Sequence, residues 1–240
     1  MGIINNQLIV SALLAHLIGD FVAQTNKISE LKSKNVKGTL IHCIVIFASN
    51  LLLLSFGIQS IPVIISLTII HFGIDCIKLK VKNLKFQFFY FFVDQAFHFA
   101  SIYLICGQFD FYSNLITESV IKYFRIIIFI IIVTYVSTVI IKQLYFSFGY
   151  LSFADSSFFT PKERELDMIF NLIFSVNMLL FYDYWYIVNI ALCFIYILIH
   201  TKLIQYNNKL LYGKLIFFII FSVVCYILLL SSGATVMASI

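Results

Sequence analysis

The chain has 240 residues, of which 62% are hydrophobic and only 11% are charged, and its formal net charge is +5. Soluble domains average about 25% charged residues, so this composition excludes an ordinary soluble globule. We also expect no nucleic-acid partner.

The apolar residues form stretches of about 20 residues, which is the length that a helix needs to cross roughly 30 Å of hydrocarbon. Backbone groups in that layer have no water to bind, so each stretch is predicted to be a helix. The sequence therefore predicts an all-α polytopic transmembrane bundle of about eight spans in a lipid bilayer. In chain order the predicted spans are 4–24, 39–57, 61–78, 87–107, 120–142, 162–182, 186–204 and 214–233.

Two connections, 25–38 and 78–86, are rich in lysine. The positive-inside rule places basic connections in the cytoplasm. The segments 143–161 and 203–214 then also lie inside, and both termini lie outside. Of the 16 Lys and Arg residues, all but Lys122 and Arg125 fall on the cytoplasmic side.

The second half of the chain shows fewer chemical signals. Thr160 is predicted to cap a helix that begins at Pro161, and the charges of the run PKERELD at 161–167 are expected to form a solvated turn. His200 is expected to lie at the membrane interface. We expect residues 108–240 to be four scaffold helices with no buried ionisable cluster.

The first four predicted spans carry the chemistry. The sequences HLIGD, HFGID and DQAFH each place a histidine and an aspartate four residues apart, which puts them on one helix face. A further histidine, His42, lies a few residues into the second span. At 1.5 Å per residue, all of these groups fall in a layer very roughly 5–15 Å below the cytoplasmic surface. The predicted metal ligands are His16, Asp20, His42, His71, Asp75, Asp94 and His98.

Ionisable side chains inside a membrane are costly, which makes them functional candidates. Imidazole and carboxylate are the usual ligands of transition ions, so a divalent ion, zinc first, is the expected cofactor. Seven ligands exceed the needs of one tetrahedral ion, so either some orient others or the site is dinuclear. Gln24, Lys78 and Gln95 are predicted to contact the ligands or the substrate. Hydrogen-bonded structural pairs are the alternative interpretation of the cluster.

A weak internal repeat accompanies the cluster. His16 and His71 are separated by nearly the same number of residues as His42 and His98, and LLAHLIGDFV resembles LTIIHFGIDCI. Such spacing is typical of a duplicated helical hairpin. It makes residues 1–107 a four-helix unit that carries the cluster. The symmetry is imperfect, because Gly38 stands where the second hairpin has Asp94.

The motifs HLIGDFVAQ, HFGIDCIK and DQAFH, with the lone histidine early in span two, resemble the bacterial membrane family catalogued as domain of unknown function 3307. The resemblance covers roughly residues 8–105. It implies a membrane fold in the bacterial inner membrane and supplies no reaction.

The leading functional hypothesis is a membrane-embedded, metal-dependent hydrolase that opens to the cytoplasmic leaflet. The basic connections favour an anionic lipid or a phosphorylated substrate. One alternative is a proton- or cation-coupled transporter or channel that uses the same groups as a relay. The other is a non-catalytic membrane subunit.

Overall fold

Long apolar runs give the chain its helices. In a computed structural model, the described residues are 6–55, 57–80, 87–109, 116–147, 161–180, 184–203 and 208–231. Within these ranges, all of the regular secondary structure is helical. The helices are α1 (Asn6–Leu17), α2 (Asn26–Lys34), α3 (Val36–Leu54), α4 (Ile61–Lys78), α5 (Gln87–Cys106), α6 (Glu118–Ile131), α7 (Ser137–Ser147), α8 (Pro161–Leu180), α9 (Trp185–Leu203) and α10 (Asn208–Ser231).

The chain divides into two compact units, Met1–Ile128 and Phe129–Ile240. In the first unit, α1 packs against α3 and α5, α3 packs against α4, and α4 packs against α5. A π-helical turn, Ile18–Val22, continues α1. These four helices form the frame that holds the candidate site.

Helix α2 is short and polar, and it lies at 92° to the segment that precedes it. Thr25 caps its beginning by accepting a hydrogen bond from the backbone N–H of Ile28. Asn35 ends it in an extended conformation and caps α3 through a 2.8 Å bond from the backbone N–H of Gly38. Side-chain caps of this kind satisfy backbone N–H groups that have no helical partner. The chain therefore turns sharply twice within about a dozen residues.

The absence of a side chain at Gly38 allows α2 to lie directly on the first turn of α3. A Cβ atom at this position would come within 2.0 Å of the carbonyl oxygen of Leu31. Thr39 reaches back from α3 and donates to the carbonyl of Lys32 at 3.4 Å. Helix α2 is therefore held against α3 by close backbone packing.

The second unit contains the end of α6, a π-helical turn at Ile132–Val136, and helices α7 to α10. Helix α8 packs against α9, and α10 packs against α7, α8 and α9. The centre of this unit is apolar and aromatic, with Phe174, Met178 and Leu211 at most 2% exposed.

The predicted all-α polytopic bundle is confirmed, and each of the eight predicted spans corresponds to a helix. Within the described ranges, five helical segments are long and apolar enough to cross a membrane, or six if the bent pair of α1 and α2 counts as one. Eight crossings, the sidedness and the functional division at 107 stay predictions. The connection 25–38 contains a helix, α2, that the sequence did not predict. Lys82, Lys85 and Thr160 lie outside the described residues.

Candidate metal centre

Seven histidine and aspartate side chains meet in the core of the first unit. All are buried, with exposed fractions of 7% or less. Their ligand atoms form three groups, and within each group the atoms lie within 4.8 Å of one another. The groups are His16, His71 and His98; Asp20, His42 and His71; and Asp75, Asp94 and His98. The structure thus brings together every predicted ligand, while their binding of a metal stays a prediction.

The π-helical turn positions the first aspartate. The backbone N–H of Ala23 bonds to the carbonyl of Ile18, five residues earlier, at 2.7 Å. This turn is wider than an α-helical turn, so Asp20 is offset from the α-helical register that the sequence predicted. His16 Nε2 lies 3.7 Å from Asp20 Oδ2. Single π-turns inside α-helices are frequent at functional sites. Asp20 is consequently presented to its neighbours on other helices as well as to His16.

The tightest contacts lie between α3, α4 and the π-helical turn. His42 Nε2 is 2.8 Å from Asp20 Oδ1 and 3.1 Å from His71 Nε2. His71 Nε2 is also 3.3 Å from Asp75 Oδ2. Two imidazole nitrogens and two carboxylates therefore point at one small volume.

His98 lies on the other side of this volume and stacks on His71, with ring centroids 4.1 Å apart. Its Nε2 is 3.7 Å from Asp94 Oδ1 and 3.8 Å from Asp75 Oδ1, which are too long for hydrogen bonds. Both ring nitrogens of His98 are buried and have no hydrogen-bond partner among the described residues. Since buried polar atoms are normally satisfied, this imidazole is a candidate ligand for a group that the protein chain does not supply.

Gln95 contacts one residue from each of the three groups. Its amide nitrogen is 3.4 Å from Asp20 Oδ2 and 3.3 Å from Asp94 Oδ2, and its oxygen is 3.4 Å from His16 Nε2. This position agrees with its expected contact to the ligands. The side-chain oxygen of Gln24 is buried and has no hydrogen-bond partner among the described residues, so its role stays a prediction.

Two lysines contact the carboxylates. Lys78 Nζ lies 2.5 Å from Asp94 Oδ2, at the position expected for a residue beside the site. Lys32 Nζ lies 2.9 Å from Asp75 Oδ2 and 3.3 Å from Asp20 Oδ1. Lys32 was not among the predicted site residues, because the segment 25–38 was predicted to be a connection. The signal available in the sequence was Thr25, which caps the start of α2.

A small cavity borders the histidines of the cluster. A cavity of about 10 Å³ lies against His16, His71 and His98 and is also lined by Asn50 and Ser101. This volume is close to what one water molecule needs. Next to it is a hydrophobic core that includes Leu8, Leu54, Val63, Ile64 and Cys106. Ser11 and Ser60, each three residues from a member of this core, are also buried.

A second buried cluster lies in the second unit. Lys214 Nζ is 2.7 Å from Glu163 Oε1 and also contacts Asp167 Oδ2. Tyr196 donates to Asp167 Oδ1 at 2.7 Å, and His200 Nε2 lies 3.5 Å from the same oxygen. All five side chains are at most 3% exposed.

This second cluster corrects two expectations. Glu163 and Asp167 of the PKERELD run are buried and do not belong to a solvated turn, and the later helices do contain buried ionisable groups. The reason is that Glu163 and Asp167 lie one helical turn apart on α8, on the face that packs inward against α9 and α10. His200 is fully buried in the protein, and its position at the membrane interface stays a prediction. The scaffold role of residues 108–240 stays a prediction.

Comparison with known proteins gives a family and no activity. Neither a curated protein nor a solved structure matches the chain. A family described as "Protein of unknown function (DUF3307)" matches residues 8–127. The match includes every residue of the histidine–aspartate cluster and ends at the boundary of the first compact unit. The chain therefore belongs to the DUF3307 family.

Proposed function

We propose that the chain is a membrane-embedded hydrolase that depends on a divalent metal ion, with zinc the first candidate, and that its site opens to the cytoplasmic leaflet. One observation carries the proposal, namely that four imidazoles and three carboxylates converge in a buried set of overlapping groups. These are the usual ligands of zinc and related ions, and a bound ion would offset the cost of burying the carboxylates.

The spacing of the donor atoms supports an ion. A tetrahedral ion with bonds of about 2.0–2.1 Å separates its ligand atoms by roughly 3.3 Å. His71 Nε2 lies at 3.1 and 3.3 Å from His42 Nε2 and Asp75 Oδ2. His98 Nε2 lies at 3.7 Å from Asp94 Oδ1 and has no hydrogen-bond partner among the described residues. If His98 Nε2 and Asp94 Oδ1 moved a few tenths of an ångström closer together, they would also have the spacing of two ligands of one ion.

The grouping of the donors favours two ions. The group of Asp20, His42 and His71 shares no residue with the group of Asp75, Asp94 and His98, so both can be filled together. His16 belongs to neither of these two groups. It would then be the imidazole that moves protons, oriented by its 3.4 Å contact to Gln95.

Hydrolysis adds one water across an ester bond. Bound ions would supply charge neutralisation and an activated water. The water oxygen bonds to the carbonyl carbon or phosphorus, and the bond to the alcohol oxygen breaks. His16 takes one proton from the water and gives it to the departing oxygen, so an acid and an alcohol are formed.

Ion translocation is the second candidate function. Polar side chains continue beyond the histidines, since Asn50 contacts Thr68 at 3.4 Å and Ser101 lines the same cavity. The buried core that follows, which includes Leu8, Leu54 and Val63, is mostly apolar within the described part of the first unit. A mostly apolar core beside the site favours hydrolysis over transport.

Elemental analysis of the purified protein tests the proposal. We expect stoichiometric divalent metal in the wild type and the loss of at least one ion in His71→Ala, because His71 belongs to two of the three groups. His200→Ala is the matched control, since it also removes a fully buried imidazole but lies in the second unit.

Metal-dependent release of nitrophenol from p-nitrophenyl phosphate or p-nitrophenyl acetate, lost in His71→Ala, would support the hydrolase. A wild type without metal in every preparation would overturn the proposal. Cation or proton flux in proteoliposomes that is abolished by Asp94→Asn would establish translocation instead.

A further inference from the structure

We propose that Lys32 and Lys78 form a binding site for a phosphoryl group, which becomes available when a divalent ion binds the aspartates. The inference rests on the proposed metal site and names the substrate class of that site. Binding of the two ligands is coupled, because the lysines are engaged by carboxylates until an ion replaces them.

The two ammonium groups lie along one continuous chain of contacts. Lys32 Nζ contacts Asp20 at 3.3 Å, and Lys78 Nζ contacts Asp94 at 2.5 Å. The amide of Gln95 lies between the two aspartates, at 3.4 and 3.3 Å. Both lysines therefore lie at the same end of the cluster, opposite the apolar end.

Charge explains why an ion would release the lysines. With neutral imidazoles, the three aspartates and these two lysines carry a net charge of −1. One divalent ion makes this +1 and two ions make it +3. A carboxylate that ligates an ion has little charge left for an ammonium group. The two lysines then need another anion.

A phosphoryl group meets this need better than a carboxylate. It brings about −1.5 to −2 charges and three acceptor oxygens, and pairs of ions are typical of phosphatases and nucleases. Entry is possible beside Lys78, whose side chain is 43% exposed. Lys32 is 14% exposed and comes from α2, which covers the same end.

Lys34 provides the matched control. It lies on the same helix as Lys32, but its side chain is 60% exposed and pairs with Glu30 at 2.5 Å, away from the cluster. Replacing either lysine with methionine removes one charge from α2 and keeps a long, helix-compatible side chain. Only Lys32→Met removes a charge from the site.

The test is equilibrium dialysis of radiolabelled inorganic phosphate against the purified full-length protein in detergent, with and without Mn²⁺. We expect phosphate to bind only with Mn²⁺, and at least about tenfold more weakly in Lys32→Met and Lys78→Met, because each loses a charge-assisted hydrogen bond. Lys34→Met should match the wild type, and Lys32→Arg should retain binding.

The affinity for Mn²⁺ is a second measurement and, unlike the affinity for phosphate, it should not fall. Lys32→Met removes the cation that competes for Asp20 and Asp75, so Mn²⁺ should bind as well as in the wild type or more tightly. A variant that had merely lost its structure would lose both ligands. Phosphate binding without Mn²⁺, or equal phosphate affinity in Lys32→Met and Lys34→Met, would overturn the inference.

The result also separates the two proposals. A wild type that binds no Mn²⁺ contradicts both, whereas one that binds Mn²⁺ but no phosphate contradicts only the anion site. The source of the phosphoryl group is resolved by competition. Displacement of phosphate by nanodiscs with phosphatidic acid indicates a lipid headgroup, and displacement by glycerol phosphate alone indicates a soluble ligand. Displacement by neither would count against the assigned substrate class.

Discussion

Gly38→Ala should detach α2 from the site. The added Cβ would lie 2.0 Å from the carbonyl oxygen of Leu31, and ordinary contact begins at 3.4 Å, so α2 must move by about 1.4 Å. The neighbouring atoms are backbone and cannot rotate away. Overpacking of this kind costs about 1–3 kcal/mol. Movement of α2 as a body would also lengthen the 2.9 Å and 3.3 Å contacts of Lys32 toward or beyond the roughly 4 Å limit of an ion pair.

Hydrogen exchange followed by mass spectrometry measures this detachment. A cost of about 1–3 kcal/mol placed on the closed state should speed exchange of the amides of Asn26–Lys34 by roughly 5- to 150-fold. Gly73→Ala is the matched control, because it lies in α4 between His71 and Asp75 and its Cβ would meet nothing within 4 Å. Unchanged exchange in Gly38→Ala would refute the close packing of α2 on α3.

Two further predictions concern the second unit. Lys214→Met should lower the free energy of unfolding by about 3–5 kcal/mol, because it removes the lysine that contacts the buried Glu163 and Asp167. The measurement is thermal denaturation in detergent, and a midpoint temperature equal to that of the wild type would contradict this prediction. Asn177→Leu should cost about 0.6–1.7 kcal/mol, since it removes the 2.8 Å bond to Asn189. The same denaturation assay measures it, and a stability equal to that of the wild type would argue against the bond.

Hydropathy predicted the long helices and failed at α2. An apolar run of membrane length permits little besides a helix, so the boundaries of α3 and α4 were found to within a few residues. Helix α2 is polar, and a count of lysines cannot distinguish a polar helix from a connection. The caps at Thr25 and Asn35 were the available signals. The π-helical turn at Asp20 left no recognisable mark in the sequence.

The candidate site, like the fold, was predicted only in part. Histidine and aspartate four residues apart gave six of the seven clustered side chains, because that spacing depends only on one helix at a time. His42 was added from its depth in the second span. Lys32 depends on how a separate helix folds back. The second cluster joins Asp167 on α8 to Lys214 on α10. A contact between residues so far apart in sequence follows from tertiary packing.

The apolar residues around Leu8, Leu54 and Val63 bear on the energetics of the proposed reaction. If the site is reached from one leaflet only, reactant and metal enter and products leave through the same opening, and turnover carries no charge from one face of the membrane to the other. Turnover would then follow the concentrations in a single compartment, and a chelator confined to that compartment would be enough to stop it.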